Sequence, residues 1–446
     1  MKKQASVNRR RFIETAGKGA AALAGFYAGA PAVLAAKSPN DLIGVGHIGL
    51  GVRGGTLITE VAGRQMGGGV QGTKVVAVCD VYKPHMQKGV ERSLNPEVKT
   101  YEDHQDLLAD PRVDAVVIAT PDHWHSPMLI DAAKAKKDVY IEKGWTRTIE
   151  EAKAMRAAVK ENNIIMQLGH QSRAQTAGAQ AAQLIEEGVI GPVSLVRTGR
   201  FENNPLGKNI WRWYGWYDYY ERPDPKEVIK ELDWDRWLGP APKEPFNMEH
   251  FWHWRCYWNY GTGVAGDLLS HEVDFVQWVL KLGIPDACVC SGFNAMLHDG
   301  REVPDTWNTI YTYEKKNCTV TFDCSMNTAI VQPPEFRGKE AMLRFDSIAQ
   351  SVENFEVTAD PKTSKYAAKI ESGEVKTDKP FLRYDPSKTP QLPNHMEDFF
   401  NGVRSRKKTK CNEDEAFIEA ATLVMSVTSL KEKRQTRWDA EKEEII

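Results

Sequence analysis

The chain has 446 residues, 26% of them charged and 41% hydrophobic, with a formal net charge of −2. That length fits about two domains with real cores. The near-neutral balance gives no electrostatic footing for nucleic acid or an anionic membrane surface, so neither is expected as a partner.

The first 36 residues are read apart from the fold. Lys2, Lys3 and the run Arg9-Arg10-Arg11-Phe12-Ile13 precede an Ala/Gly-rich apolar segment from Gly19 to Leu34, and Ala35-Ala36 offer a cleavage site. This pattern resembles a twin-arginine export signal, which predicts a periplasmic or otherwise exported protein and the export machinery as a partner. A membrane anchor is the competing reading, but the apolar run is short of the roughly 20 residues a span needs and is diluted by glycine. A lipid anchor is not expected, because the first cysteine is Cys79. The seven cysteines (79, 256, 288, 290, 318, 324 and 411) are odd in number and form no C-x-x-C pair. They predict free buried thiols rather than a disulfide framework or a zinc site.

From Leu42 an apolar run ends in Gly49-Leu50-Gly51-Val52-Arg53-Gly54, which fits G-x-G-x-x-G before a helix-compatible segment. Gly49 can make the tight turn, Gly51 admits a pyrophosphate close to the backbone, and Gly54 lets the helix pack on the sheet. A second β-like run, Lys74 to Cys79, ends at Asp80, 26 residues after Gly54, where a carboxylate can take ribose hydroxyls. Val81-Tyr82-Lys83 follow with no adjacent arginine for a 2′-phosphate, which favours NAD over NADP. Asn95 to Asp110 reads as loop and helix. Val113 to Thr120 is a continuous apolar run, as in a strand buried on both faces, and it stops at Pro121. A helix over Ser126 to Lys137 leads to the short strand Asp138 to Ile141, then Glu142-Lys143-Gly144. Residues just past the carboxyl ends of parallel strands bind ligands, so Arg53, Asp80, Thr120, Pro121, His125, Glu142 and Lys143 join Gly49, Leu50, Gly51 and Val52 as cofactor candidates. His125 is expected to hydrogen-bond near the cofactor, with His123 as readily solvated.

Ile149 to Glu161 reads as a helix, Ile164 to Leu168 as a strand, and Ala174 to Glu187 as a helix. Val193 to Arg200 alternates in polarity like a half-exposed antiparallel strand. Eight of the thirteen tryptophans crowd residues 201 to 260. They can stack on sugar faces, with Trp211 and Trp258 as candidate substrate contacts, but core filling or a subunit interface competes for most of them. Gly266 to Leu280 reads as a helix that puts Asp267 and His271 four apart on one face, with Asp274 a turn further. A histidine oriented by a carboxylate is a credible general base. The same two groups lack a third ligand, so no metal is expected. Lys143, at a strand end, can polarise a substrate oxygen or relay a proton; an ordinary surface lysine is the competing reading. Arg173 and Asp274 are further substrate candidates. Alternating runs fill Ala287 to Ile330, a turn-rich stretch follows from Asp360 to Lys388, and helices are predicted near His395 to Arg404 and over Asp414 to Lys431. The last is capped by Asn412 with Glu415 three residues on.

Several motifs together resemble the Gfo/Idh/MocA oxidoreductases: Ile48-Gly49-Leu50-Gly51, Val78-Cys79-Asp80, Ala119-Thr120-Pro121-Asp122-His123-Trp124-His125, Glu142-Lys143 and Asp267-x-x-x-His271-x-x-Asp274. Asp305-Thr306 and the segment His395 to Phe399 look like it too. The resemblance implies an α/β protein with an N-terminal Rossmann domain (a doubly wound parallel sheet), here 37–168. It also implies a substrate-binding and oligomerisation α/β domain at 169–392, with a large, open, mostly antiparallel sheet. Helices at 393–446 would pack back on both. It implies nicotinamide binding and hydride transfer at a carbohydrate or polyol carbon, with Lys143 matching the catalytic lysine, His271 the acid/base and Asp267 its partner. The family usually has proline after Glu-Lys, whereas this chain has Gly144, so Lys143 is free to sit differently. Three functions are weighed: an exported NAD-dependent oxidoreductase of sugars, glycosides or polyols; a redox-neutral glycosidase or lyase with tightly held NAD; and a sugar-binding protein without catalysis.

Overall fold

The computed structural model describes residues 42–63, 70–202, 223–348, 352–389 and 392–446. The arginine-rich N-terminus and Trp211 lie outside the described residues.

The apolar runs near the N-terminus become the centre of a six-stranded parallel sheet: β1 (Ile43–Ile48), β2 (Thr73–Cys79), β3 (Lys99–Tyr101), β4 (Ala115–Ile118), β5 (Asp138–Ile141) and β6 (Met166–Leu168). Their order is β3-β2-β1-β4-β5-β6. Every residue of β1, β4 and β5 is buried, as parallel strands covered on both faces require. Strand order reverses beside β1, so a crevice opens at the carboxyl ends there. The short strand β3 falls where the sequence suggested loop. It has only three residues, Lys-Thr-Tyr, too few and too polar to show a period.

The second sheet has ten strands: β7 (Val193–Phe201), β8 (Ala287–Ser291), β9 (Thr306–Tyr313), β10 (Cys318–Ser325), β11 (Glu335–Gly338), β12 (Ala341–Phe345), β13 (Phe355–Ala359), β14 (Leu382–Arg383), β15 (Thr436–Asp439) and β16 (Glu444–Ile445). The order is β14-β13-β12-β11-β7-β10-β9-β8-β15-β16. Pairing is antiparallel throughout except between β7 and β10. Thus β7 is antiparallel only to β11, not on both sides. Its alternating pattern reports half-exposure of one face and carries no information about neighbour direction. The terminal hairpin β15–β16 extends the sheet beyond β8, where only helices were expected.

Helix His395–Ser405 starts with a full capping box, Asn394 with Glu397. It inserts Met396, Phe399, Phe400 and Val403 into the same core as Ile43, Val45 and Val117 of the parallel sheet. The long helix Glu413–Glu432 has a simpler start than its sequence suggested. Asn412 accepts from the Asp414 amide, while the Glu415 carboxylate is drawn off to Arg173 at 3.0 Å. All seven cysteines are free and buried.

Because helix His395–Ser405 completes the N-terminal core, Phe399→Ala, at a fully buried ring, is expected to lower stability by about 3–5 kcal/mol. Urea unfolding followed by far-UV circular dichroism measures it, and an unchanged midpoint would place the helix outside the core.

Candidate active site

A cleft of about 900 Å³ runs along the carboxyl ends of β1, β2, β4 and β5 and is closed on its other side by the second domain. On the Rossmann side, Gly49 turns out of β1 with φ +83°, and a Cβ there would stand 2.7 Å from the Ala119 carbonyl oxygen. Above Gly51 the nearest side-chain atom is 3.7 Å away, so backbone faces open cleft. Helix Val52–Ala62 begins at this point with no side-chain cap. Asp80 pins the turn to the end of β2: its Oδ2 accepts from the Leu50 amide at 2.7 Å and its Oδ1 from the Tyr82 amide at 2.9 Å. Leu50 contributes that amide only, because its side chain is in the core. Arg53 and Glu142 form a 2.7 Å ion pair at the cleft wall. Burial opposes the charge of Glu142, yet Arg53 holds its carboxyl below the usual range. Thr120 and Pro121 line the cleft, and Thr120 Oγ1 is buried without a hydrogen-bond partner.

His125 lies behind this surface. Its Nδ1 is 3.0 Å from the Gly144 carbonyl oxygen and its Nε2 3.0 Å from that of Thr120, so it ties the end of β4 to the turn after β5. Burial pushes it down to about 4. A neutral imidazole has one N–H and donates to one of those carbonyls at a time. His123, expected at the surface as readily as not, is 1% exposed and sits 3.0 Å from the Trp237 carbonyl oxygen through Nε2.

Across the cleft, Lys143 Nζ donates to the Asp267 carbonyl oxygen at 2.7 Å and also to the Asp267 carboxylate. Arg255 Nε lies 3.1 Å from the same Oδ1. Burial works against the charge on Asp267, but Arg255 and Lys143 keep its carboxyl below the ordinary value. Asp267 belongs to a π-helical turn, Ala265–Leu269, that feeds helix Ser270–Leu280; such turns are frequent at functional sites. His271, at the start of that helix, lines the cleft, and neither ring nitrogen has a hydrogen-bond partner. Burial, and then the Lys143 charge, push it well below its usual value, so the ring is neutral. The expected Asp267–His271 pair is therefore not what the structure holds. Two cations share Oδ1 of the carboxylate, Oδ2 has no hydrogen-bond partner, and the buried histidine lines the cleft with neither nitrogen bonded.

Three substrate candidates fall elsewhere. Arg173 and Asp274 make a buried ion pair, Nε to Oδ1 at 2.9 Å, and neither lines the cleft. Arg173 also bonds the Lys410 carbonyl oxygen and Glu415, so it fastens the segment after β6 to the C-terminal helices. Trp258 lies under Lys431 Nζ at 4.0 Å, away from the cleft. The aromatic wall is instead Trp124, Trp237, Phe251, Trp252 and Trp254. Sequence density flagged the region of the last four but not which rings face inward, since irregular segments have no period to read; Trp124 lies in the turn after β4, outside that region. Arg200 and Arg255 also line the cleft and carried no sequence signal.

The stretch around Leu232 to Trp237 crosses the mouth near Asp80. The Asp233 amide donates to the Val81 carbonyl oxygen at 2.9 Å, and Trp124 Nε1 donates to that of Trp237 at 2.8 Å. Arg236 approaches Glu102 at 3.6 Å and Asp103 at 3.8 Å.

Gly144 has φ +76°, and a Cβ there would stand 2.7 Å from Asp122 Oδ1. Proline, locked near −65°, cannot adopt that backbone, so glycine is a geometric requirement here. Gly144→Ala is expected to cost about 1–3 kcal/mol from the left-handed backbone and displaced carboxyl together. Urea denaturation of purified variant and parent measures it, and equal stability would refute the requirement.

Residues 43–170 match the Gfo/Idh/MocA model described as an oxidoreductase-family NAD-binding Rossmann fold, and residues 180–337 match its C-terminal alpha/beta domain. Over 122 residues the chain is 41% identical to scyllo-inositol 2-dehydrogenase (NAD(+)) of Bacillus subtilis, covering 27% of this chain and 35% of that protein. Over 168 residues it is 29% identical to a glycosyl hydrolase family 109 protein of Shewanella baltica, covering 33% and 35%. The chain thus spans about a third of the length of these curated relatives. A levoglucosan dehydrogenase solved with NADH and levoglucosan shares the fold, with TM-score 0.64, 19% identity and coverage of 89% of this chain and 99% of that one. The open glycine turn, the uncapped helix start, Asp80 and the unpartnered Thr120 hydroxyl fit a dinucleotide. With both halves matched and the cleft lying between them, this chain belongs to the Gfo/Idh/MocA family of oxidoreductases, with its NAD-binding Rossmann domain and C-terminal α/β domain.

Proposed function

We propose that the protein is an exported, NAD-dependent oxidoreductase acting on a C–OH of a sugar, glycoside or polyol. One observation carries the reading: Lys143, held by Asp267, and a neutral His271 with both ring nitrogens unpartnered share a cleft with the glycine turn and Asp80. Bound NAD supplies the hydride acceptor. Gly49, Gly51, Val52 and Arg53 would hold its phosphates, and Asp80 would take its ribose. Lys143 donates a hydrogen bond to the substrate oxygen and, with His271, forms the acid–base pair that takes the hydroxyl proton. Asp267 keeps Lys143 aimed at that point.

The substrate class follows from the walls. Arg53 faces Glu142, Arg200 faces Glu202 at 3.3 Å, and Arg255 shares Asp267 with Lys143, so these cleft cations all sit against carboxylates. That balance suits an uncharged polyhydroxy compound, and Trp252 and Trp254 offer flat apolar faces for a sugar ring. Redox-neutral cleavage of a glycoside is the second reading. It is favoured by the stretch around Leu232 to Trp237, which crosses the mouth and would retain NAD between turnovers, and by the relative named a glycosyl hydrolase. The outer face of the ten-stranded sheet exposes the cross-strand pair Val289 and Ile310, which supports a homo-oligomer formed through that sheet.

Protein purified without added nucleotide is expected to release a dinucleotide on denaturation, identified by mass, and to turn over members of a sugar and glycoside panel. Lys143→Ala and His271→Ala are expected to lower kcat by about 10²-fold or more while still carrying the dinucleotide. Retained turnover in both variants would refute the assignment. Separately, Arg9→Lys with Arg10→Lys is expected to leave the protein in the cytoplasm on cell fractionation; undiminished export would sink the twin-arginine reading.

A further inference from the structure

His271 lines the cleft with neither ring nitrogen hydrogen-bonded, so no hydrogen bond fixes the plane of its ring. An acid–base group has to present a nitrogen within hydrogen-bond reach of the reacting oxygen, so that plane matters. Among the described residues the ring that meets it is His170, edge to face, with centroids 5.6 Å apart and planes at 88°. His170 follows β6 and is fully buried. Its Nε2 stands 3.1 Å from Oε1 of Glu419, on helix Glu413–Glu432. Its Nδ1 stands 3.9 Å from Oδ2 of Asp274, one turn beyond His271 on the same helix. These are ion-pair distances without hydrogen-bond alignment, so charge rather than direction is what the contacts offer.

The buried carboxylates here are Asp274 and Glu419, and the permanent cation is Arg173, whose Nη2 lies 2.8 Å from Asp274 Oδ1. Glu415, the other carboxylate on Arg173, reaches solvent. Arg173 matches Asp274, which leaves Glu419 to be matched by His170. Asp274 faces His170 as well and favours the proton there, where an imidazolium has an N–H for each neighbour. Burial opposes that charge, yet Asp274 and Glu419 hold His170 above its usual value. The remaining titratable groups add none. His395 is neutral, pushed down to about 3 by burial and then by His170. Cys411, whose Sγ is 3.7 Å from Asp274 Oδ1, is kept a thiol by burial.

We propose that His170 is a positioning residue that acts through His271: an imidazolium held by Glu419 and Asp274 sets the plane of the His271 ring and keeps that ring neutral, able to accept the hydroxyl proton. Two imidazolium rings this close, both out of water, would repel strongly, so the charge on His170 keeps His271 uncharged. Lys143, Arg200 and Arg53, the other charged groups facing His271, act in the same sense. The clamp lets the base stay ready as pH falls, and it loosens once pH rises far enough to strip His170 of its proton. The inference rests on the proposed function for the part His271 plays in the reaction, not for the charge of His170.

The first test is substrate-free NMR of protein isotope-labelled in histidine, the two signals being assigned by their loss in His170→Phe and His271→Ala. At neutral pH His170 is expected to show the imidazolium shift and His271 the neutral one. His170→Phe with Glu419→Leu keeps an aromatic ring and removes the charge pair together, which a buried site tolerates better than losing one partner. In that double variant the His271 midpoint, and with it the acid limb of the kcat profile, should move to higher pH while the kcat plateau changes little. His170→Ala with Glu419→Leu removes the ring as well. It should lower the plateau about 10- to 100-fold, with KM and bound dinucleotide unchanged. A neutral His170 in the native protein, a His271 midpoint indifferent to the first double variant, or full kcat in the second would each overturn the proposal. If no member of the panel were turned over, the proposed function would fail, while the NMR titration would still decide whether His170 is the charged neighbour of His271.

Discussion

The contact between Lys143 and Asp267 is the constraint on which the site depends. The lysine stands at the end of β5 in the parallel sheet, and the aspartate in the π turn of the second domain. Both are largely out of water, with side-chain exposures of 13% and 4%. Taking one partner away from a buried ion pair strands the other charge and costs about 3–5 kcal/mol. The pair therefore sets the distance between the two domains at the point where a substrate must lie. Arg255 strengthens it from a third segment, and cation–π contact of Arg255 with Trp254 at 3.9 Å ties that anchor to the aromatic wall. Position, charge and shape at the cleft are consequences of one electrostatic knot.

The same knot bears on the neutrality of His271. Both cations reach Asp267 through Oδ1, Oδ2 stays unpartnered and does not bond the imidazole, and burial together with the Lys143 charge opposes protonation of the ring. Lys143 is moored twice, to the Asp267 carboxylate and to its backbone carbonyl oxygen, so its position does not depend on the carboxylate alone.

Much of the Rossmann half was legible because its physics is local. A continuous apolar run, a glycine turn and an acid at the next strand end each leave a mark within a few residues, so the places of Gly49, Asp80, Thr120 and Lys143 at strand ends along the cleft could be read at sight. What could not be read depends on distant partners. Arg173 looked like a ligand because it follows a strand end, and Asp274 because it shares a helix with His271, yet they satisfy each other in the interior. Glu415 had the right spacing for a capping box, and Arg173, more than two hundred residues earlier, took it. The inward rings Trp252 and Trp254 could not be told from outward Trp258, because side-chain direction in an irregular segment is set by tertiary contacts alone. Gly144 is the reverse case: an apparent departure from a family pattern proved to be dictated by backbone geometry and the carboxyl beside it.

Helix His395–Ser405 has a consequence for how the protein is made. The core of the nucleotide-binding domain is closed by Met396, Phe399, Phe400 and Val403, which are made more than two hundred residues after the last strand of its sheet, Met166–Leu168. Domains generally fold as units during synthesis, the N-terminal one first. Here the nucleotide-binding sheet stays open on one side until that helix has been made, so its maturation is tied by topology to a segment far along the chain. A truncated or stalled chain would carry every glycine and acid of the dinucleotide site and still lack the packed sheet that holds them in register. That distant helix thereby acts as a check that the chain has been made through both domains before the nucleotide site is set.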